Sequence, residues 1–171
     1  MSNKENHLKE ELLKKAYHLG FEYEKNYGNC AQCVLLATQE ILGLKNDLVF
    51  KTATGFAGGI GLIGISACGA LSGGIMAIGQ KYGRERHNLA DPKQLRFKTY
   101  KLAKKLHERF IEEYGSSTCR DIQQRIFGRS YNLWDPEEYK LFEDAGAHRD
   151  KCPEVVGKAT QWVVELLFEE E

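Results

Sequence analysis

A chain of 171 residues has the length of one domain with room for a sizeable core, and 24 basic residues against 24 acidic ones leave no net field. That balance argues against recruitment of nucleic acid or an acidic membrane by charge, so neither is expected as a partner. Met1 to Lys15 is polar and charged, without the apolar stretch of a secretory signal. The expected compartment is therefore the cytoplasm, where thiols are kept reduced. Five cysteines in that setting point to ligands, reactive thiols or buried fillers, and their odd number cannot pair completely within one chain.

Leu8, Leu12, Ala16, Leu19 and Tyr23 recur at helical spacing and predict an amphipathic helix over about 4–26, with residues 1–6 a flexible N-terminus. Tyr27-Gly28-Asn29 closes it, and Asn29 is suited to cap the next helix, whose stripe is Ala31, Val34, Leu35, Thr38, Ile41 and Leu42. A short helix follows Asn46. From Thr52 to Gln80 no residue is charged, a length that could cross a bilayer. The many glycines of Gly55 to Gly64 make a continuous helix too costly there, so a buried glycine loop is expected, with no membrane insertion. A core helix follows over about 67–82, where Gly69, Ala70, Gly73 and Ala77 permit close helix contact.

Asp91-Pro92 has the form of a helix start, and Leu95, Thr99, Leu102, Leu106, Phe110 and Tyr114 carry that helix to Gly115. Ser117 or Thr118 caps a short helix ending at Phe127-Gly128. Asp135-Pro136 opens another through about Ala145, and Pro153 starts the last, with Val155, Ala159, Trp162, Val163 and Leu166 as its stripe. No period-2 run of strand residues appears. The expected fold is all-α: a single-domain bundle of about seven to eight helices spanning 1–171, with Trp134 and Trp162 as core anchors.

On these elements Cys30, Cys68, Cys119 and Cys152 each fall at or near a predicted helix N-terminus. There the positive end of the helix dipole and the free backbone N–H groups favour an anion, and a thiol so placed is expected to have a lowered pKa. Cys30-Ala-Gln-Cys33 adds a C-x-x-C pair opening a helix, an arrangement in which one thiol attacks and the other resolves, or in which both reach one metal ion. Val34 stands where a c-type haem site would need histidine. The other three cysteines are isolated, as in a site assembled by folding.

Cys68-Gly69-Ala70-Leu71-Ser72-Gly73, with Asn29-Cys30-Ala31-Gln32, the glycine loop, Cys119 and Cys152, resembles the family named C_GCAxxG_C_C after its own pattern. Its members are grouped as redox-active, and a related domain occurs in split-Soret cytochromes. The resemblance covers roughly residues 10–168. It implies an all-helical redox protein whose four matching cysteines are Cys30, Cys68, Cys119 and Cys152, with Cys33 additional.

Gly59-Ile-Gly61-Leu-Ile-Gly64 also has the form of a dinucleotide loop, but no strand precedes it, so close backbone packing is the better account. His87 and His148 fall in loops, where they are surface residues, metal ligands or proton shuttles. Three functions remain. The favoured one is an iron–sulfur electron carrier or oxidoreductase, with Cys30, Cys68, Cys119 and Cys152 as cofactor and metal ligands. The second is a cluster-free thiol–disulfide oxidoreductase with Cys30 and Cys33 catalytic, and the third a structural zinc protein. An unidentified redox partner is implied, and the small-residue helix from Gly69 to Gly79 suits a homodimer as well as a core.

Overall fold

The first helix, α1 (Asn3–Tyr27), turns a ridge of Ala16, Gly20 and Glu24 inward, while Leu8 of the expected stripe is exposed. The reason is a close approach to the last helix, α8 (Cys152–Phe168). A Cβ on Gly20 would stand 2.3 Å from Thr160 Oγ1, so only glycine lets the two backbones meet there. The computed structural model describes residues 3–170, so Met1 and Ser2 of the expected flexible terminus lie outside the described residues and α1 is already helical from Asn3.

After Gly28 and Asn29, both at positive φ, comes α2 (Cys30–Leu42), followed by α3 (Asp47–Thr52) and a single 3-10 turn over Ala53–Phe56. The Asn29 side chain accepts from Gln32 N–H at 3.3 Å as the N-cap and donates to Thr54 O at 3.1 Å, tying the α2 start to the chain that leads into the glycine loop. Beyond the loop runs α4 (Gly69–Tyr82), the small-residue helix, and it serves the core. Gly73 packs on the Ala31 carbonyl, and Gly74 on Leu106 and Val163.

The fifth helix, α5 (Arg96–Tyr114), begins later than Asp91-Pro92 implied. Asp91 and Gln94 both adopt positive φ, which breaks the helical path, yet the Asp91 carboxylate still accepts from Leu95 N–H at 2.7 Å and Arg96 N–H at 3.1 Å. Then come α6 (Cys119–Phe127) and α7 (Pro136–Asp144), the latter capped by Asp135 as expected. Thr118 precedes α6 without a side-chain cap. A π-helical turn over Ala147–Lys151 runs straight into α8.

The fold is all-α. Among the described residues no strand forms; the nearest thing is one antiparallel bridge between Ala67 and Thr118. At the centre α8 packs against α1, α2, α4 and α5, around fully buried Phe110, Leu35, Ile78, Leu102 and Leu106. A smaller cluster of Leu133, Phe142 and Ala147 sits under the α7 end. Trp162 packs edge-on to Phe110 at 5.5 Å, whereas Trp134 is 69% exposed and no core anchor. No helix is long and apolar enough to cross a membrane among the described residues.

Two glycines of α4 give opposite expectations. A Cβ on Gly73 would lie 2.1 Å from Ala31 O, so Gly73→Ala forces α2 and α4 apart and should cost about 1–3 kcal/mol. Gly79 meets nothing within 4 Å, so Gly79→Ala should instead gain up to ~1 kcal/mol from helix propensity. Urea unfolding midpoints of the two variants measure both.

Candidate functional site

Cys30 opens α2, Cys68 immediately precedes α4, Cys119 opens α6 and Cys152 opens α8, and all four line one cavity of about 350 Å³. Backbone contacts set their spacing. Cys68 N–H donates to Ser117 O at 2.8 Å and Cys119 N–H to Ser66 O at 3.0 Å, so the Ala67–Thr118 bridge fixes the α4 start beside the α6 start. Glycine does the same for Cys30: a Cβ on Gly69 would lie 2.4 Å from its Sγ. The Cys30 thiol lies near enough to Cys68 for the second thiol to oppose its ionisation.

Cys152 is placed differently from the other three. Its N–H already bonds Ala147 O within the π-helical turn, so it has no free helix N-terminus behind it. Such turns frequently mark functional sites. The π-helical turn also carries His148, expected in a loop as a surface residue, metal ligand or proton shuttle, to the cavity wall.

The glycine loop roofs the cavity. Gly58, Gly59, Ile60, Gly61 and Leu62 form a consecutive left-handed run, closed by bonds such as Gly61 N–H to Gly55 O at 2.8 Å and Gly64 N–H to Gly58 O at 2.9 Å. Gly58, Gly59 and Gly64 are buried, whereas Ile60 and Ile63 face outward. The Gly58 N–H points at the Cys30 sulfur. A Cβ on Gly59 would stand 2.9 Å from Cys119 Cβ, so the loop presses against a second cysteine. Trp134 latches it from outside by donating its indole N–H to Gly61 O at 2.7 Å.

Cys30, Cys119 and Cys152 do not show the lowered pKa that helix N-termini suggested. Cys30 is pushed well up, first by the neighbouring Cys68 thiol, then by burial and by the Glu24 charge. Burial leads for Cys119, pushed up to about 12, and for Cys152, also raised. The physical reason is that burial outweighs the few groups that favour a thiolate, the Gly58 N–H at Cys30 and the Gln123 amide at Cys119. Among the described residues no lysine or arginine lines the cavity, and the acidic Glu24 does.

Cys33 does not line the cavity. Its Sγ donates to Gly28 O at 2.9 Å and lies beside the Glu24 carboxyl, so the C-x-x-C pair is split between the cavity and the α1–α2 seam. All five cysteines are free thiols. Among the described residues no three His, Cys, Asp or Glu side chains close on a point that could hold a single metal ion. The four lining thiols surround a volume instead.

Glu24 is the residue that the hydrophobic stripe hid. It is 2% exposed, lines the cavity floor, and its Oε2 has no hydrogen-bond partner. Its carboxyl is pushed up to about 7, with burial the chief cause and His148 and Cys33 working against it. The signal was present in the i, i+4 spacing of Ala16, Gly20 and Glu24, two small residues followed by an acid on one ridge.

Because this acid is raised from 4.5 to about 7, its burial costs stability above that window and costs nothing below it. Glu24→Gln should therefore raise the melting temperature at about pH 8, by a free energy of roughly 3 kcal/mol. The gain should fade as the pH drops through 7 and vanish below 4.5; thermal melts across that range check it.

A relative from Archaeoglobus fulgidus, described as an uncharacterized protein, is 28% identical over 155 residues, covering 88% of this chain and 92% of its own. No solved structure matches the chain. The family model described as "Putative redox-active protein (C_GCAxxG_C_C)" matches residues 28–166, a span that contains all five cysteines, the glycine loop and most of α8; the chain belongs to that redox-active family.

Proposed function

We propose that Cys30, Cys68, Cys119 and Cys152 hold an iron–sulfur cluster and that the protein is an electron-transfer protein or oxidoreductase of its family. The observation that carries this reading is the convergence of four thiols, from the starts of four separate helices, on one cavity with no lysine or arginine in its wall among the described residues. Thiols raised in pKa by burial and by one another stay protonated unless a cation joins them, and bound metal deprotonates a coordinating thiol outright. Cys₄ ligation is the donor set such clusters take, and the group would supply one-electron chemistry when bound.

The arrangement suits a group with volume better than a single ion. Zinc draws four sulfurs to about 2.3 Å from one centre, and the lining thiols would have to contract around a point to reach it. The chain's own contribution is to exclude bulk water with the glycine loop, to present the Gly58 N–H to the Cys30 sulfur, and to hold Cys68 and Cys119 at backbone-fixed positions. Hydrogen bonds to cluster sulfurs and burial are the levers by which a protein sets such a potential.

The cluster-free alternative takes a new form. Thiol–disulfide chemistry would be better served by Cys30 and Cys68, which line the same cavity, than by Cys30 and Cys33, whose sulfurs face different surroundings. A raised thiol pKa makes a poor attacking thiolate at neutral pH, which counts against this route.

Anaerobic reconstitution with iron and sulfide should give coloured protein containing both in comparable amounts. Each of Cys30→Ser, Cys68→Ser, Cys119→Ser and Cys152→Ser should lose most of the iron while keeping its helical circular dichroism, and Cys33→Ala should keep it. Colourless, iron-free protein after reconstitution would sink the cluster. Stoichiometric zinc without a redox transition would replace it by the structural-metal reading.

A further inference from the structure

Glu24, His148 and Glu143 form a string from the cavity floor to the surface. His148 Nδ1 lies 2.6 Å from Glu143 Oε1, and its Nε2 lies 3.8 Å from Glu24 Oε1. Exposure rises along the string, from 2% at the Glu24 side chain to 28% at His148 and 35% at Glu143. The inner gap is an ion-pair spacing, longer than a hydrogen bond, that proton transfer requires the part-exposed imidazole to close by rotation. Phe142 packs edge-on against that ring at 5.9 Å, giving it an apolar wall.

We propose that this string is a proton path, and that each electron entering the cysteine site from an external donor is accompanied by one proton that stops on the Glu24 carboxyl. The inference rests on the redox reading of the site but assigns work to residues outside its four cysteines. The step balances as follows. The donor loses an electron and the site gains it; a water-derived proton protonates Glu143, the Glu143 proton passes to His148 Nδ1, and the Nε2 proton of the same imidazole forms an O–H bond on Glu24.

Electrostatics supplies the coupling. Negative charge added in the cavity raises the proton affinity of a carboxylate buried in its wall, because low dielectric leaves the repulsion poorly screened. The charged and titratable groups whose influence reaches Glu24 are His148 of the π-helical turn, Glu143 of α7, Cys33 and Cys30 of α2, Cys119 of α6, Cys152 of α8 and Tyr139 of α7. Only His148 among them can carry positive charge. A buried acid with one unpartnered oxygen, aimed at a redox cavity and wired through a histidine to solvent, has the parts of a proton relay.

The test uses the full chain in two arms. In the metal-free protein, an infrared pH titration should show a buried carboxyl band titrating near pH 7, absent in Glu24→Gln and shifted to higher pH in His148→Gln, which removes the side chain that holds it down. In the iron–sulfide-reconstituted protein poised at an electrode, the reduced-minus-oxidised infrared spectrum should gain a protonated-carboxyl band above neutral pH. The midpoint potential should fall by about 59 mV per pH unit, the one-electron equivalent of a tenfold change in protons. Glu24→Gln should abolish both band and slope. His148→Phe should keep an equilibrium slope but slow proton uptake, followed with an indicator dye, by tenfold or more.

No carboxyl band in the first arm, or a slope unchanged in Glu24→Gln, overturns the path whatever the site holds. If reconstitution gives no chromophore, the cluster reading alone has failed, and the same difference spectrum is then taken across the thiol–disulfide couple. A carboxyl band lost in Glu24→Gln still supports the path, and its absence in the wild type overturns it.

Discussion

The contact between α2 and α4 is closer than side chains allow, and most of the site follows from it. Gly73 lies against the Ala31 carbonyl, and Gly69 against the Cys30 sulfur and the Phe56 carbonyl. Because no Cβ intervenes, the start of α4 sits beside the start of α2, and Cys68 joins Cys30 in the wall of one cavity. Interiors are packed too densely for that spacing to be recovered by small adjustments elsewhere. The same economy operates between α1 and α8, where Gly20 and Gly157 face Thr160 and Tyr17, and there it brings Glu24 to the wall of the cavity that Cys152 completes.

A cavity assembled this way is electrically one-sided. Its ionisable groups are thiols, an acid, a histidine and the phenols of Tyr27 and Tyr139, with arginine and lysine kept to the outside of the molecule in surface pairs such as Lys158 with Glu113 and Glu154. Helix N-terminal dipoles are worth well under a charge each, and they do not offset burial for Cys30 or Cys119. The unbalanced wall makes a metal-bearing group a better complement than a bare thiolate, and it makes a proton the natural counterweight for an added electron.

Much of the fold was legible because helix signals are local. Both ends of α2, the starts of α3 and α7 and the end of α6 lie where caps and glycines put them, and Val155, Ala159 and Val163 are buried as the α8 stripe required. The cysteines Cys30, Cys68, Cys119 and Cys152 were legible as a set because their order along the chain is distinctive, and they do share one cavity. What escaped depends on tertiary context. Asp91-Pro92 has the form of a cap, but Asp91 takes a left-handed turn and caps from a distance. Trp134 has the composition of an anchor, yet the glycine loop needs its indole N–H outside. The π-helical turn leaves no local mark, so His148 could not be placed. Cys33 has the right spacing for a partner of Cys30, but Gly28 O takes its thiol proton.

The bridge between residues 66–68 and 117–119 sets the Cys68–Cys119 distance in another way from the glycine contact. Both of its bonds run between backbone atoms, so the side chains of Ser66, Ala67, Ser117 and Thr118 contribute nothing to the pairing itself. Spacing held by backbone survives the replacement of neighbouring side chains, whereas spacing held by a missing Cβ does not. Two halves of one site thus differ in mutational tolerance. Drift in sequence is free to rewrite the bridge while the geometry stays, but at Gly69 and Gly73 the geometry and the residue are the same constraint.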